Sequence, residues 1–89
     1  MNIHDLVFEK KNRLHSTQAK VSFINGYGAS VITGPTAYTD HERPYEVAVL
    51  HKENLCYTTP ITDDVLGYKT AKEVEDILEK IKALPAKNE

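Results

Sequence analysis

An 89-residue chain with 40% hydrophobic residues supports one domain with a modest core, since folding at this length buries only about 60–65% of the surface that the unfolded chain exposes. The net charge is −2, but the charges are unevenly distributed. Residues 1–20 contain four basic and two acidic residues, whereas residues 21–89 contain 7 basic and 11 acidic residues. This charge layout disfavours nucleic acid as a partner outside the first 20 residues, and the small size favours binding at an exposed surface over catalysis in a deep cleft.

Cys56 is the only cysteine, which excludes an intramolecular disulfide and fits a reducing cytosol. No apolar run approaches the roughly 18 residues of a membrane span, and the amino terminus lacks the apolar core of a signal peptide. We therefore expect a soluble, cytoplasmic protein that has no membrane partner.

Residues 1–18 are predicted to form an amino-terminal amphipathic helix or arm. At helical spacing, one face of residues 3–14 collects the apolar side chains Ile3, Leu6, Val7 and Leu14. This helix could dock on the domain or on a second copy of it, or it could be an appended arm. Its basic residues also make it the one segment suited to nucleic acid.

Residues 20–33 predict a β-hairpin, because Asn25-Gly26 stands between two runs of β-branched and aromatic residues and suits a two-residue type I′ turn. In that register Phe23 lies opposite Gly28. A glycine-rich phosphate loop is the alternative for residues 26–30, but the chain then continues as a strand instead of beginning a helix.

The same register predicts which side chains of this hairpin are buried. The core face collects Val21, Phe23 and Ile32. The opposite face carries Ile24, Tyr27, Ala29 and Val31. Because one face of an antiparallel sheet can stay wet, Tyr27 is a candidate contact for a partner or for a second copy in a homodimer.

The polar segment of residues 36–44 is predicted to be a surface loop, which could be a solvated connection or could contact a partner. Its candidate contact residues are Tyr38, Asp40, Glu42 and Arg43. Asp40-His41-Glu42 has the residue types of metal ligands, but neighbouring residues in an extended chain point in different directions, so no metal site is predicted.

A second hairpin is predicted from residues 45–50 and 55–59, with residues 51–54 as the turn. A four-residue turn places Leu50 opposite Leu55 and directs Cys56 to the face of Val47 and Val49. Cys56 is then a small buried side chain. A nucleophile paired with a nearby histidine is the alternative, but a reactive thiolate needs an accessible, electropositive site.

Asp63 and Asp64 follow Pro60 and are predicted to cap a short helical turn that ends at Gly67. A hydrolytic carboxylate pair is the alternative interpretation. Paired carboxylates work only beside a pocket and other placed groups, so capping is favoured.

A carboxy-terminal helix is predicted over residues 71–84, because Thr70 and Glu73 form a capping box and a run of apolar residues follows on one face. The apolar positions are Val74, Ile77, Leu78, Ile81 and Leu84. The side facing away from them carries Glu75, Asp76 and Glu79, which could be a solvated face or a negative patch for a basic partner.

These elements predict an α+β fold: a four-stranded antiparallel sheet built from two hairpins, with the carboxy-terminal helix packed on one face and a short amino-terminal helix added. Residues 19–85 form the single domain, and residues 86–89 are a polar tail.

Three blocks of this sequence together resemble a group of small tailed-bacteriophage and prophage proteins without an established function. The blocks are residues 23–32 (FINGYGASVI), 45–50 (YEVAVL) and 56–68 (CYTTPITDDVLGY), and a Glu-rich terminal helix follows them. The resemblance covers about residues 21–84. It implies an accessory phage protein in the cytoplasm of the host bacterium. Such proteins commonly bind and inhibit a host or defence component, and anti-CRISPR proteins are among them.

The leading expectation is therefore a non-enzymatic protein that binds and inhibits or modulates a host or defence protein. Its expected contacts are Tyr27, the loop of residues 36–44 and the acidic side of the terminal helix. A small enzyme using Cys56 or the pair Asp63/Asp64 is one alternative, and a DNA-binding regulator acting through its amino-terminal helix is another. No catalytic residue, metal or cofactor is predicted.

Overall fold

The computed structural model of this protein describes residues 3–10, 16–34, 39–52, 54–56, 59, 61 and 65–86. Within these ranges six strands form one antiparallel sheet, one α-helix packs on a face of it, and a 3-10 turn lies near the amino terminus. The predicted α+β class is confirmed. The elements are the 3-10 turn Ile3–Asp5, strands β1 (Glu9–Lys10), β2 (Thr17–Ser22), β3 (Tyr27–Thr33), β4 (Tyr45–His51), β5 (Asn54–Leu55) and β6 (Leu66–Lys69), and helix α1 (Ala71–Lys82).

The sheet is a meander in which β1, β2, β3 and β4 lie side by side in chain order. β3 occupies one edge of β4 along most of its length, so β5 and β6 share the other edge. β5 pairs with the last two residues of β4, and β6 pairs with Tyr45 and Val47. No helix in the described ranges is long and apolar enough to cross a membrane.

The amino-terminal helix is shorter than predicted, because the 3-10 turn ends at Asp5 and the chain becomes strand β1 at Glu9. Leu6 is 9% exposed, Val7 is 74% exposed and Phe8 is half-buried. This alternation has the period of an extended chain, not of a helix. The remainder of the predicted helix, residues 11–14, lies outside the described residues.

The first hairpin forms where it was predicted, but its turn has three residues instead of two. Phe23 N donates to Tyr27 O at 2.7 Å, and Gly26 N donates to Phe23 O at 3.1 Å. Gly26 has a φ of 86°, which glycine adopts without steric cost. Phe23 therefore lies opposite Tyr27, and the predicted pairing of Phe23 with Gly28 is wrong; Ser22 takes that place.

This shift of one residue reverses the two faces of β3, because side chains alternate along a strand. Tyr27, Ala29 and Val31 were expected on the open face, and they are instead 9%, 0% and 0% exposed in the core beneath α1. Ile32, expected in the core, lies on the other face. For Val21 on β2 and for Phe23, which follows β2, the prediction was right, since both pack against the core.

Helix α1 forms over most of its predicted length and buries its apolar stripe against β3 and β4. The buried helix residues are Val74, Ile77, Leu78 and Ile81. Cys56 joins the same core at 7% exposure, and its N–H donates to Val49 O at 2.9 Å. The predicted second hairpin register, with Leu50 opposite Leu55, is confirmed, but His51 also pairs with Asn54, so the predicted four-residue turn over residues 51–54 is wrong.

Strand β6 was not predicted, and the expected helical turn ending at Gly67 is wrong for its described residues, since Leu66–Lys69 is extended. The strand contains a glycine, and Tyr68 has a φ of 56° beside an irregularity in its pairing with β4. A glycine and a pairing irregularity interrupt the alternation of apolar and polar residues by which a strand is recognised in a sequence. Asp63 and Asp64 lie outside the described residues.

The start of α1 is fixed by the predicted capping box. Thr70 Oγ1 accepts from Glu73 N at 3.2 Å, and Thr70 N donates to the Glu73 carboxylate at 3.0 Å. The Thr70 N–H donation is the main reason that the pKa of Glu73 lies below its ordinary value.

Thr70→Ala should lower the free energy of unfolding by about 1 kcal/mol, because the first turn of α1 loses an acceptor for Glu73 N. Urea unfolding followed by circular dichroism measures the change. Thr70→Ser keeps the hydroxyl and is the matched control, which should stay close to the wild type. Equal losses in both variants would contradict a capping role.

Candidate interaction surface

An open apolar groove runs between β6 and α1 and has a volume of about 480 Å³. We call it the β6–α1 groove. Its lining residues are Ile61, Leu66, Lys69, Ile77, Lys80, Ala83 and Leu84. The helical period places Ile77 and Lys80 on the flank of α1 that faces β6. Ala83 and Leu84 follow the end of the helix, and the strand supplies Leu66 and Lys69.

The floor of the β6–α1 groove is apolar and only partly covered. Ile61, Leu66 and Leu84 are half-buried, while Ile77 is 8% exposed. Half-buried aliphatic side chains retain surface that a partner can remove from water. The groove therefore suits an aliphatic or aromatic side chain of another molecule.

Two lysines give the groove a positive rim. Within the described ranges neither Lys69 nor Lys80 forms an ion pair. The charge of Lys69 contributes to the lowered pKa of Glu73, after the Thr70 hydrogen bonds. An apolar floor with positive rim charges complements an apolar side chain flanked by carboxylates.

A hydrogen-bonded loop, residues 39–43, stands near the amino-terminal end of α1 and presents Arg43 against Tyr68. The Arg43 guanidinium lies 5.4 Å from the centre of the Tyr68 ring, which is compatible with a cation–π contact. Tyr68 is 46% exposed. The charges of Lys69 and Arg43 both lower the pKa of Glu73, after the Thr70 hydrogen bonds, which places both cations near the first turn of α1.

Asp40 organises this loop. Its Oδ1 accepts from the backbone N of Glu42 at 3.1 Å and of Arg43 at 2.7 Å, while Oδ2 accepts from Arg43 Nη2 at 2.6 Å. These bonds fold the loop back on itself, so Arg43 is held in place before any partner arrives.

Hydrogen bonds from Arg43 hold the pKa of Asp40 below its ordinary value. Because the folded-state pKa is depressed, the Asp40–Arg43 pair is fully present above the ordinary aspartate pKa. It is lost as pH falls through the lowered folded value. Both side chains are solvated, so the pair orders the loop and contributes little to global stability.

The acidic side of α1 is partly neutralised by contacts within the chain. Glu75 Oε2 accepts from Ile3 N at 2.7 Å, and Asp76 pairs with Lys72 at 2.9 Å. Glu79 is exposed and also has an interaction partner. Helical geometry places Glu75 and Glu79 on the flank of α1 opposite to the β6–α1 groove, so they do not join it.

The other predicted site residues have different locations. Tyr27 is buried, and its ring centre lies 4.9 Å from that of His51, so the structure leaves it little surface for a partner. Glu42 is exposed on the loop described above, and Tyr38 lies outside the described residues. Cys56 is buried among apolar side chains, a setting that disfavours a reactive thiolate.

The sheet face opposite α1 carries a second concavity of about 320 Å³. Its central residues, Ser30 and Ala48, are 4% and 5% exposed. Gln18 Nε2 donates to Ser30 Oγ within it. In the part of the chain that the structure describes, no group of three or more His, Cys, Asp or Glu residues could hold a metal ion.

Sequence reasoning missed the β6–α1 groove because it missed β6. One signal in the sequence pointed to it. Ile77 and Leu84 lie at the margin of the apolar stripe of the helix, and Lys80 lies between them in the sequence. At such a margin apolar side chains border on solvent and can be partly exposed. Comparison of the chain with protein-family models, curated proteins and solved structures finds no match.

Proposed function

We propose that this chain is a non-enzymatic binding protein whose β6–α1 groove takes an apolar side chain of a partner protein, flanked on the partner by acidic residues. The observation that carries the proposal is the half-buried floor of Ile61, Leu66 and Leu84 between Lys69 and Lys80. Burial of apolar surface in the groove stabilises the complex. The lysine charges orient an acidic partner and increase its rate of association.

The Arg43–Tyr68 pair supports the same proposal. Arginine and tyrosine are enriched among the residues that dominate binding energy, and a side chain already held in place loses less entropy on binding. Tyr68 is the chain neighbour of Lys69, which lines the groove, so a partner that contacts the groove at β6 can also reach the pair.

The resemblance to small phage proteins supplies the biological context. In that context the partner is a host or defence protein in the bacterial cytoplasm, and binding inhibits or modulates it. An anti-CRISPR role is one form of this proposal. The acidic side of α1, with Asp76 and Glu79, is the competing contact surface for a basic partner.

Reversing both rim charges, Lys69→Glu with Lys80→Glu, should weaken partner binding by about tenfold or more, because carboxylates of the partner then face carboxylates of the groove. Affinity capture from host lysate with mass spectrometry identifies the partner, and titration of that purified partner measures the change. Lys10→Glu with Lys20→Glu is the control, since it changes the net charge equally away from the groove.

A second pair of variants separates the groove from the acidic side of the helix. Asp76→Lys with Glu79→Lys should leave binding within about twofold of the wild type, because neither residue lines the groove. If this pair abolishes binding while the lysine reversals leave it intact, the partner uses the acidic side and the groove proposal is wrong. Circular dichroism confirms that each variant is folded.

A further inference from the structure

Asn25, in the turn of the first hairpin, holds the carboxy-terminal end of α1. Its Nδ2 lies 2.9 Å from Ile81 O, 3.2 Å from Lys82 O and 2.9 Å from Leu84 O. Its Oδ1 accepts from Tyr27 N at 3.0 Å. We call these contacts the Asn25 latch.

The Asn25 latch donates to carbonyls at the end of α1 and just beyond it, of which Ile81 O also accepts from Leu84 N at 3.1 Å. The last carbonyls of an α-helix have no partner within the helix, and they carry the negative end of its dipole. A side-chain amide has two N–H hydrogens, so Asn25 can donate to two of the three carbonyls at a time.

Asn25 is followed by Gly26, and this dipeptide has a known chemical weakness. Glycine has no side chain, so its backbone nitrogen can approach the Asn side-chain carbon without steric hindrance. The Gly26 nitrogen attacks Asn25 Cγ and loses its proton, a new C–N bond closes a succinimide ring, and the bond from Cγ to Nδ2 breaks with release of ammonia. Water then opens the ring to aspartate or isoaspartate.

The folded structure restrains every group that takes part in the first step. The Gly26 N–H donates to Phe23 O at 3.1 Å, Asn25 Nδ2 is bound to the helix carbonyls, and Oδ1 is bound to Tyr27 N. The attack therefore needs local opening of the turn, so the reaction rate follows the open fraction.

We propose that Asn25 is a deamidation site gated by the fold, and that its reaction releases the end of α1 from the hairpin irreversibly. Both products lose the amide donor, because Cγ carries a carboxylate in aspartate and joins the backbone in isoaspartate, where the carboxylate is on Cα. In the aspartate product a negative charge faces the carbonyl oxygens of Ile81 and Leu84. Such a charge is repelled by the negative end of the helix dipole. The inference does not depend on the β6–α1 groove having a partner.

The first test measures the reaction itself. The wild-type protein is incubated at mildly alkaline pH, folded or in denaturing urea, and peptide mass spectrometry follows the mass change and the isoaspartate at Asn25. We expect deamidation about tenfold or more slower in the folded protein, because only the open fraction reacts. Equal rates in the two conditions would overturn the gating.

The second test measures the consequence for α1. In Asn25→Asp, hydrogen exchange of the Ala83 and Leu84 amides, which bond to Glu79 O and Ile81 O, should become about tenfold or more faster than in the wild type. Asn54→Asp is the matched control, because it makes the same charge change on exposed β5 and should leave these amides unaffected.

Two results would count against the release of α1. Unchanged exchange at Ala83 and Leu84 in Asn25→Asp would show that the latch does not hold the helix end. If Asn25→Asp does not fold, deamidated wild-type protein separated by ion exchange takes its place. Native-like exchange in that fraction would equally overturn the proposal.

Discussion

Leu78→Ala should lower the free energy of unfolding by about 3 kcal/mol, because Leu78 is fully buried where α1 packs on the sheet. The loss combines the transfer of the removed atoms with the cavity left behind, and the cavity is bounded by two elements that cannot easily close on it. Alanine is a strong helix former, so the change tests packing and not helix propensity.

Urea unfolding measures the loss as a fall in midpoint at an unchanged slope. Leu55→Ala is the matched control, because Leu55 is 57% exposed on β5 and its truncation should change stability by no more than about 0.5 kcal/mol. Similar losses in the two variants would mean that α1 does not cover the core as described.

Gly28→Ala should also destabilise the fold by about 3 kcal/mol, through a backbone clash. A Cβ atom at Gly28 would lie 2.3 Å from Val21 O and 3.2 Å from Ser22 Cα. Both atoms belong to the backbone of β2, so β2 and β3 must move apart along a pairing that is central to the sheet.

Gly26→Ala is the comparison, because it tests a different property of glycine in the same hairpin. A Cβ at Gly26 would meet only His51, at 3.6 Å from Nε2, which is an ordinary contact. Its cost arises from the positive φ of 86° and should be about 1 kcal/mol. If Gly26→Ala proved more damaging than Gly28→Ala by urea unfolding, the clash argument would fail.

Gly28 also illustrates where inference from sequence went wrong. The predicted two-residue turn placed Phe23 opposite Gly28, where the missing side chain would leave room for the Phe23 ring. In the structure the glycine instead allows the Val21 carbonyl to approach closely. Asn25-Gly26 correctly indicated a hairpin. The loop length was decided by contacts that the dipeptide does not encode, including the donation from Asn25 to the end of α1.

The candidate site was predicted only in part. Asp40, Glu42 and Arg43 were identified because charged residues in a polar loop are exposed, and the structure adds that Asp40 folds this loop around Arg43. Tyr27 was assigned to the wrong face by the register error. The sequence does not predict Lys69 and Lys80 as one rim, because they come together only when β6 lies beside α1.

The amino-acid sequence by itself determined helix α1 with its capping box, the register of β5 on β4, and the burial of Cys56. Each of these follows from signals within a few neighbouring residues, such as apolar periodicity, a cap or a turn of given length. Such signals need no knowledge of what packs against the segment.

Only the tertiary structure decided the register of β2 on β3, the pairing of β6 with β4 and the groove that β6 forms with α1. The physical reason is distance along the chain. Asn25 bonds to carbonyls 56 and 59 residues away, and contacts of that kind select among local conformations that are nearly equal in energy. A slip of one residue costs little within a hairpin, but it exchanges the buried and exposed faces of a whole strand.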